Sequence, residues 1–286
     1  MLTLHAAFYQ LKNELQSLYD AQEASAISHE LLHHITGLSK YERLIEKEQI
    51  LTSQQHGFFT RATQRLVNGE PLQYIIGVQW FMGKAFEVNK HVLIPRPETE
   101  ELVQWIVEDR KAQPFIRILD IGTGSGCIPV SLKLQLPQAQ ISTGDISDTA
   151  LEVAGRNALK HGVDIELLEL DFLDERTWPH LGQYDVIVSN PPYIPLSEKQ
   201  NLHRNVAAHE PALALFVEED ALIFYRKIAA FAQEHLKPGG AVYCEVHKAH
   251  AYETRDLFQQ FFKQVLLKKD MSENERMVKG WNEAAG

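Results

Sequence analysis

The apolar positions change rhythm near residue 70. Before it they keep a helical period: Leu11, Leu15 and Leu18 recur on one stripe, as do Phe59, Ala62, Leu66 and Val67 further on. Ser39 with Glu42, and Thr52 with Gln55, spell capping boxes. In that motif two side chains three residues apart satisfy the backbone N–H groups that a helix start leaves free. Gly37, Gly57 and Gly69 read as punctuation, and Pro71 closes the region. A small bundle of short helices is expected over residues 1–70. No chemical group stands out in it, so substrate docking and plain support are both open roles.

Residues 71–94 read differently. Tyr74-Ile75-Ile76, Trp80-Phe81-Met82 and Phe86-Glu87-Val88 are short apolar runs broken by Gly77 and Gly83, which predicts a β-hairpin linker. The remainder, residues 95–286, forms the third division. Within it, strand signals at residues 116–121, 139–146, 165–170, 184–188 and 241–246 alternate with helical signals. Helices are predicted over 125–136, 148–160 and 221–236, the first stopped by Pro137 and the last by Pro238-Gly239-Gly240. This alternation builds βαβ units, hence a mostly parallel sheet with helices on both faces.

Composition adds exclusions. Apolar residues make up 44% of the 286 residues, enough for a buried core. No apolar run reaches the length of a membrane span. Residues 1–20 have neither a basic n-region nor an apolar h-region, so no secretory signal is expected. Two cysteines, Cys127 and Cys244, supply no disulfide framework and read as reduced thiols of a cytoplasmic protein. The net charge of −10 argues against bare nucleic acid as partner. Thirteen histidines make chance pairs common; His247 with His250 lacks a third ligand, and no metal is expected.

Chemistry concentrates at strand ends. Gly122-Thr123-Gly124-Ser125-Gly126 follows the first strand and opens a helix. Glycine allows tight turning and close approach to a ligand. Asp145 ends the second strand, where a carboxylate can accept from both hydroxyls of a ribose. Asp171 and Phe172 end the third strand and offer polar and flat apolar contacts to an adenine ring. The G-x-G-x-G spacing favours S-adenosylmethionine over a dinucleotide. Asn190-Pro191-Pro192-Tyr193 follows the fourth strand. An Asn oxygen and a Pro191 carbonyl can hold both hydrogens of a planar NH2 group, Tyr193 can pack on its face, and proline adds stiffness without a competing N–H. Orientation and fixed dipoles would then make a poor nucleophile react.

In these motifs the sequence resembles the release factor glutamine N(5)-methyltransferases, the PrmC/HemK family. The resemblance rests on Pro71 to Gly77, on Leu93-Ile94-Pro95-Arg96-Pro97-Glu98-Thr99-Glu100, on the glycine loop and on Asn190 to Tyr193, with weaker matches at Glu210-Pro211, Asp270 and Arg276. It implies an α/β fold: a seven-stranded Rossmann-like methyltransferase domain joined by a β-hairpin linker to a small all-helical N-terminal domain. It further implies methyl transfer from S-adenosylmethionine, leaving S-adenosylhomocysteine, to the glutamine of a Gly-Gly-Gln motif in class I peptide chain release factors. The carried-over cofactor contacts are Gly122 to Gly126, Asp145, Asp171, Phe172 and Asn190; Asn190 to Tyr193 would hold the glutamine. A cytoplasmic monomer without membrane or direct nucleic-acid contact is expected. Methylation of a ribosomal-protein glutamine, or of an adenine or guanine amino group, remains the alternative. Glu245-Val246-His247-Lys248 lacks a glycine usual in the family, which bears on local loop geometry.

Overall fold

The structure is a computed structural model and describes residues 1–113, 115–201 and 208–283. Two compact units emerge, one holding Met1–Val78 and the other most of the chain from Gln79 onward.

The first unit is helical: α1 (Leu4–Leu15), α2 (Ala21–Thr36), α3 (Lys40–Ile45), α4 (Ser53–Val67) and α5 (Leu72–Ile76). Both capping boxes form, at Ser39/Glu42 and Thr52/Gln55. One core gathers Leu4, Leu11 and Leu15 of α1, Leu31 and Leu32 of α2, and Phe59 and Leu66 of α4. Two expectations fail here. Gly57 lies inside α4 and interrupts nothing, and Leu18 falls beyond α1. The run Tyr74-Ile75-Ile76 is helical, not extended. Pro71 supplies the N-cap of α5, its carbonyl accepts the Tyr74 N–H at 3.1 Å, and Leu72 and Ile75 share a buried face at helical spacing.

The second unit opens with the hairpin β1 (Val78–Phe81) and β2 (Lys84–Glu87), then α6 (Pro97–Arg110). The sheet strands are β3 (Arg117–Ile121), β4 (Gln140–Asp145), β5 (Glu166–Glu169), β6 (Tyr184–Ser189), β9 (Leu236–Glu245), β10 (Gln264–Lys269) and β11 (Glu275–Trp281). Between them lie α7 (Cys127–Gln135), α8 (Asp148–His161), the short α9 (Ala212–Leu215) with strands β7 (Ile194–Pro195) and β8 (Phe216–Val217), α10 (Ile223–His235) and α11 (Ala251–Phe258). The seven strands run β10-β11-β9-β6-β3-β4-β5. β9, β6, β3, β4 and β5 are mutually parallel, and β11 is antiparallel to both its neighbours. β9 begins earlier than the pattern implied: Pro238-Gly239-Gly240 lies within it, and its pairing with β6 slips between Tyr184 and Val186.

Two apolar layers cover the sheet. Val186, Val188 and Tyr243 face one layer with Leu102, Val103 and Ile106 of α6. Ile187, Val242 and Cys244 face the other with Tyr225, Ile228 and Phe231 of α10. This is the period-two alternation of a sheet buried on both sides. The chain starts the sheet at β3, lays β4 and β5 to one side and β6 and β9 to the other. The carboxyl ends of β3 and β6 therefore flank the switch point, where such sheets bind ligands. No helix among the described residues is long and apolar enough to cross a membrane.

Candidate active site

The loop after β3 is held from both flanks. Gly122 and Thr123 donate their N–H groups to the Gly144 carbonyl at 2.8 and 3.1 Å, and Ser189 Oγ donates to the Ile121 carbonyl at 2.7 Å. Gly126 sits at φ +78°, and a Cβ there would come 3.0 Å from Ala154. Only glycine lets α7 start this close to α8. Asn157 of α8, fully buried, ties the loop to the hairpin. Its amide nitrogen donates to the Ser125 and Glu87 carbonyls, and its oxygen accepts the Glu87 N–H at 2.7 Å. No motif in the sequence flagged Asn157; only the fold assigns its partners.

A cleft of about 1430 Å³ opens over this loop. Gly122, Thr123, Gly124, Ser125, Asp145, Asp171, Phe172, Asn190 and Pro192 line it. The Asp145 carboxylate accepts the Gly124 N–H at 2.9 Å with one oxygen and the Ser147 N–H at 3.0 Å with the other. Burial raises its pKa, and those backbone donors, Gly124 first, pull it back. Each oxygen keeps a lone pair for a hydroxyl donor. Ile146, Phe172 and Leu173 form an apolar wall beside it. A carboxylate at a strand end, open glycine backbone and a flat apolar wall fit an adenosine-containing methyl donor. Beneath the loop, Asp120 is fully buried and accepts from Thr143 Oγ1 at 2.6 Å; burial pushes its carboxyl up to about 7, against the pull of the Thr143 and Thr123 hydroxyls.

The segment Asn190 to Tyr193 divides by orientation. Asn190 and Pro192 reach the cleft; Pro191 is buried, and the Tyr193 ring packs on the core layer of α10 with His247 5.4 Å away. Burial, and after it the Glu245 charge, drives the Tyr193 hydroxyl far above its usual range, so it stays neutral. Asn190 Nδ2 donates to Thr99 Oγ1 at 3.2 Å, and Thr99 Oγ1 donates to Glu245 Oε2 at 2.6 Å. Thr99 lines the cleft from the first turn of α6. Arg96 forms an ion pair with the buried Glu210, which also accepts the Ile94 N–H; Glu100 accepts the Met82 N–H at 2.8 Å. The charged stretch from Arg96 to Glu100 is thus part cleft wall and part brace. Glu210 and Glu245 lie in stretches compared with the family, but only the fold shows which partners they hold. Both cysteines are free and buried, and no group of three metal-ligating side chains exists among the described residues.

Residues 99–213 match the methyltransferase small domain, and residues 7–77 match the PrmC N-terminal domain. With the glycine loop, strand-end acid and Asn190 at one switch point, the chain is a methyltransferase of this small-domain class. The release factor glutamine methyltransferase of Flavobacterium psychrophilum is 40% identical to it, covering 94% of this chain and 96% of its own. That of Bacteroides thetaiotaomicron is 37% identical, with the same coverage of 94% and 96%. The chain belongs to the release factor glutamine methyltransferase family. Among solved structures, the hMettl16 catalytic domain in complex with the MAT2A 3′UTR hairpin 6 shares the fold, with a TM-score of 0.56 at 16% identity over 82% of this chain and 83% of that one.

Proposed function

We propose that the chain methylates the side-chain amide nitrogen of the glutamine in the Gly-Gly-Gln motif of class I peptide chain release factors, using S-adenosylmethionine and leaving S-adenosylhomocysteine. The observation that carries this reading is the orientation of Asn190. Its NH2 group is committed to Thr99, and no hydrogen bond among the described residues reaches its Oδ1. An acceptor thus stands on the cleft wall, as an incoming amide N–H requires.

S-adenosylmethionine supplies an electrophilic methyl group when bound; Gly122 to Ser125, Asp145, Phe172 and Leu173 are the residues that would hold it. Everything else falls to the chain's own groups. An amide nitrogen delocalises its lone pair and is a weak nucleophile. Asn190 Oδ1 and the Pro191 carbonyl accept its two hydrogens, fix its plane and favour density on nitrogen. Pro191 and Pro192 have no N–H to compete for those acceptors. Tyr193, neutral and packed on the core, stiffens the loop from behind. No strong base is needed, because the methylated amide nitrogen sheds its extra proton readily. Two glycines before the target clear the cleft mouth of side chains. The helical unit, α1 to α5, docks the rest of the release factor, and the enzyme works as a cytoplasmic monomer.

The test is transfer of labelled methyl to a purified release factor, read by mass spectrometry of the Gly-Gly-Gln peptide. Label on that glutamine, and none when it is replaced by alanine, is the expected result. Label appearing on an adenine oligonucleotide instead would overturn the reading.

A further inference from the structure

Three residues far apart in sequence meet on one face of the sheet. β6 and β9 pair with Ser189 opposite Cys244, so one step on, Asn190 stands beside Glu245. Val186 and Val188 on one strand, and Tyr243 on the other, face the α6 layer. By the same alternation Asn190 and Glu245 turn to that side. The first turn of α6 places Thr99 there, and its hydroxyl bonds to both.

We infer that Thr99 and Glu245 are positioning residues for methyl transfer, acting through Asn190 by fixing which end of its amide faces the cleft. The inference rests on the reading that Asn190 Oδ1 receives the substrate amide. A threonine hydroxyl has one proton and two lone pairs. Here the proton is committed to Glu245 Oε2 at 2.6 Å. Toward Asn190, Thr99 can then only accept. An acceptor facing an asparagine amide selects its NH2 end, and the observed contact is Asn190 Nδ2 to Thr99 Oγ1. The carbonyl end is left for the ligand. Without this relay the amide could turn by half a circle and present N–H groups to a substrate that is itself an N–H donor. Such a site would repel the group it must hold. Glu245 and Thr99 are both buried, so water does not compete for these bonds. Tyr225 steadies the far end by donating its hydroxyl to the Glu245 carbonyl at 3.0 Å.

The experiment measures Thr99→Val, Thr99→Ser and Asn190→Ala, and the double variant of Thr99→Val with Asn190→Ala, on intact release factor. Valine keeps the shape and removes the relay; serine keeps the hydroxyl. Thr99→Val should lower kcat roughly 10- to 100-fold. KM for release factor and calorimetric affinity for S-adenosylmethionine should stay within about threefold, and Thr99→Ser should restore most of kcat. In the Asn190→Ala background, Thr99→Val should have no further effect, because its route to the substrate is already gone. Thermal melting of each variant shows whether it is folded; were Thr99→Val to unfold, Thr99→Ala, which also removes the hydroxyl, decides on the same two measurements, with Thr99→Ser as the active control. Unchanged kcat in Thr99→Val, or a loss matched by an equal loss of cofactor affinity, would overturn the relay alone. Full activity of Asn190→Ala would overturn the underlying reading and the relay together.

Discussion

Asp145 and Gly124 are joined by a hydrogen bond of 2.9 Å from the glycine N–H to the carboxylate. The strand-end acid and the glycine loop are therefore one unit. Replacing Asp145 removes a ligand for hydroxyls and also releases the loop.

Asp145→Ala should for this reason weaken S-adenosylmethionine binding more than the loss of one neutral contact. The expected cost is on the order of 2–4 kcal/mol, as for two hydrogen bonds to a charged acceptor. Isothermal calorimetry reads it directly. Affinity equal to that of the unaltered protein would remove Asp145 from the cofactor site.

Asn190→Ala separates chemistry from binding. Turnover should fall by roughly a hundredfold or more, as when a single aimed dipole is removed from a preorganised site. Cofactor affinity should change far less. Single-turnover rates alongside the dissociation constant make the comparison, and a rate loss explained wholly by binding would count against the assignment.

The acid limb of the pH–rate profile should belong to Glu245. Burial pushes its carboxyl up to about 7, opposed by the Thr99 hydroxyl, Arg276 from β11 and Arg96, and reinforced by Glu98. Tyr193 and Tyr225 face it as well but stay neutral. When ionised, Glu245 accepts the Thr99 hydroxyl's hydrogen bond and the Asn190 amide keeps its working orientation. When protonated, it competes to donate, and Thr99 is free to turn its proton toward Asn190. Turnover should rise with pH through about 7 and then level. In Glu245→Gln, whose amide oxygen accepts from Thr99 at any pH, that limb should disappear from kcat measured between pH 5.5 and 8.5.

Asp120 is one buried carboxyl through which stability responds to pH. Its folded pKa is raised, from 3.8 to about 7. Its favourable contribution is therefore complete below the unfolded pKa and is lost as pH climbs to about 7. Asp120→Asn cannot ionise, so the variant should gain on the unaltered protein across that window. The gain above pH 7 should be about 2–4 kcal/mol, and should vanish near pH 4. Urea unfolding of both proteins at several pH values gives the difference. A gap that stays constant with pH would show that Asp120 does not titrate there.

Removal of residues 1–77, the helical unit with α5 included, tests its docking role. The Michaelis constant for intact release factor should rise strongly, while S-adenosylmethionine affinity should hardly move. A short Gly-Gly-Gln peptide should be a poor substrate for either form, because ordering each free residue costs about 1–2 kcal/mol. Equal activity of both forms on intact release factor would place docking elsewhere.

What the sequence determined by itself is local. Capping boxes at Ser39 and Thr52 are complete within four residues, and the turn of the glycine loop is announced by its own glycine spacing after a strand, although its hold on Gly144, Asp145 and Asn157 is not. The strand-end positions of Asp145 and Asn190 come from period and punctuation. Tertiary structure decided what depends on partners. Tyr74 to Ile76 became helical because Leu72 and Ile75 found a buried face in the helical unit, a gain that outweighs the strand preference of Ile and Tyr. β11 entered the sheet antiparallel beside β9, a pairing no periodicity announces. Tyr193 turned to the core, away from the cleft, because the layer under α10 had room for its ring. The Asn190–Thr99 bond spans 91 positions and the Thr99–Glu245 bond 146. Neither residue pair has a motif, since a hydroxyl with one proton acquires its direction only from the acceptor that folding brings beside it.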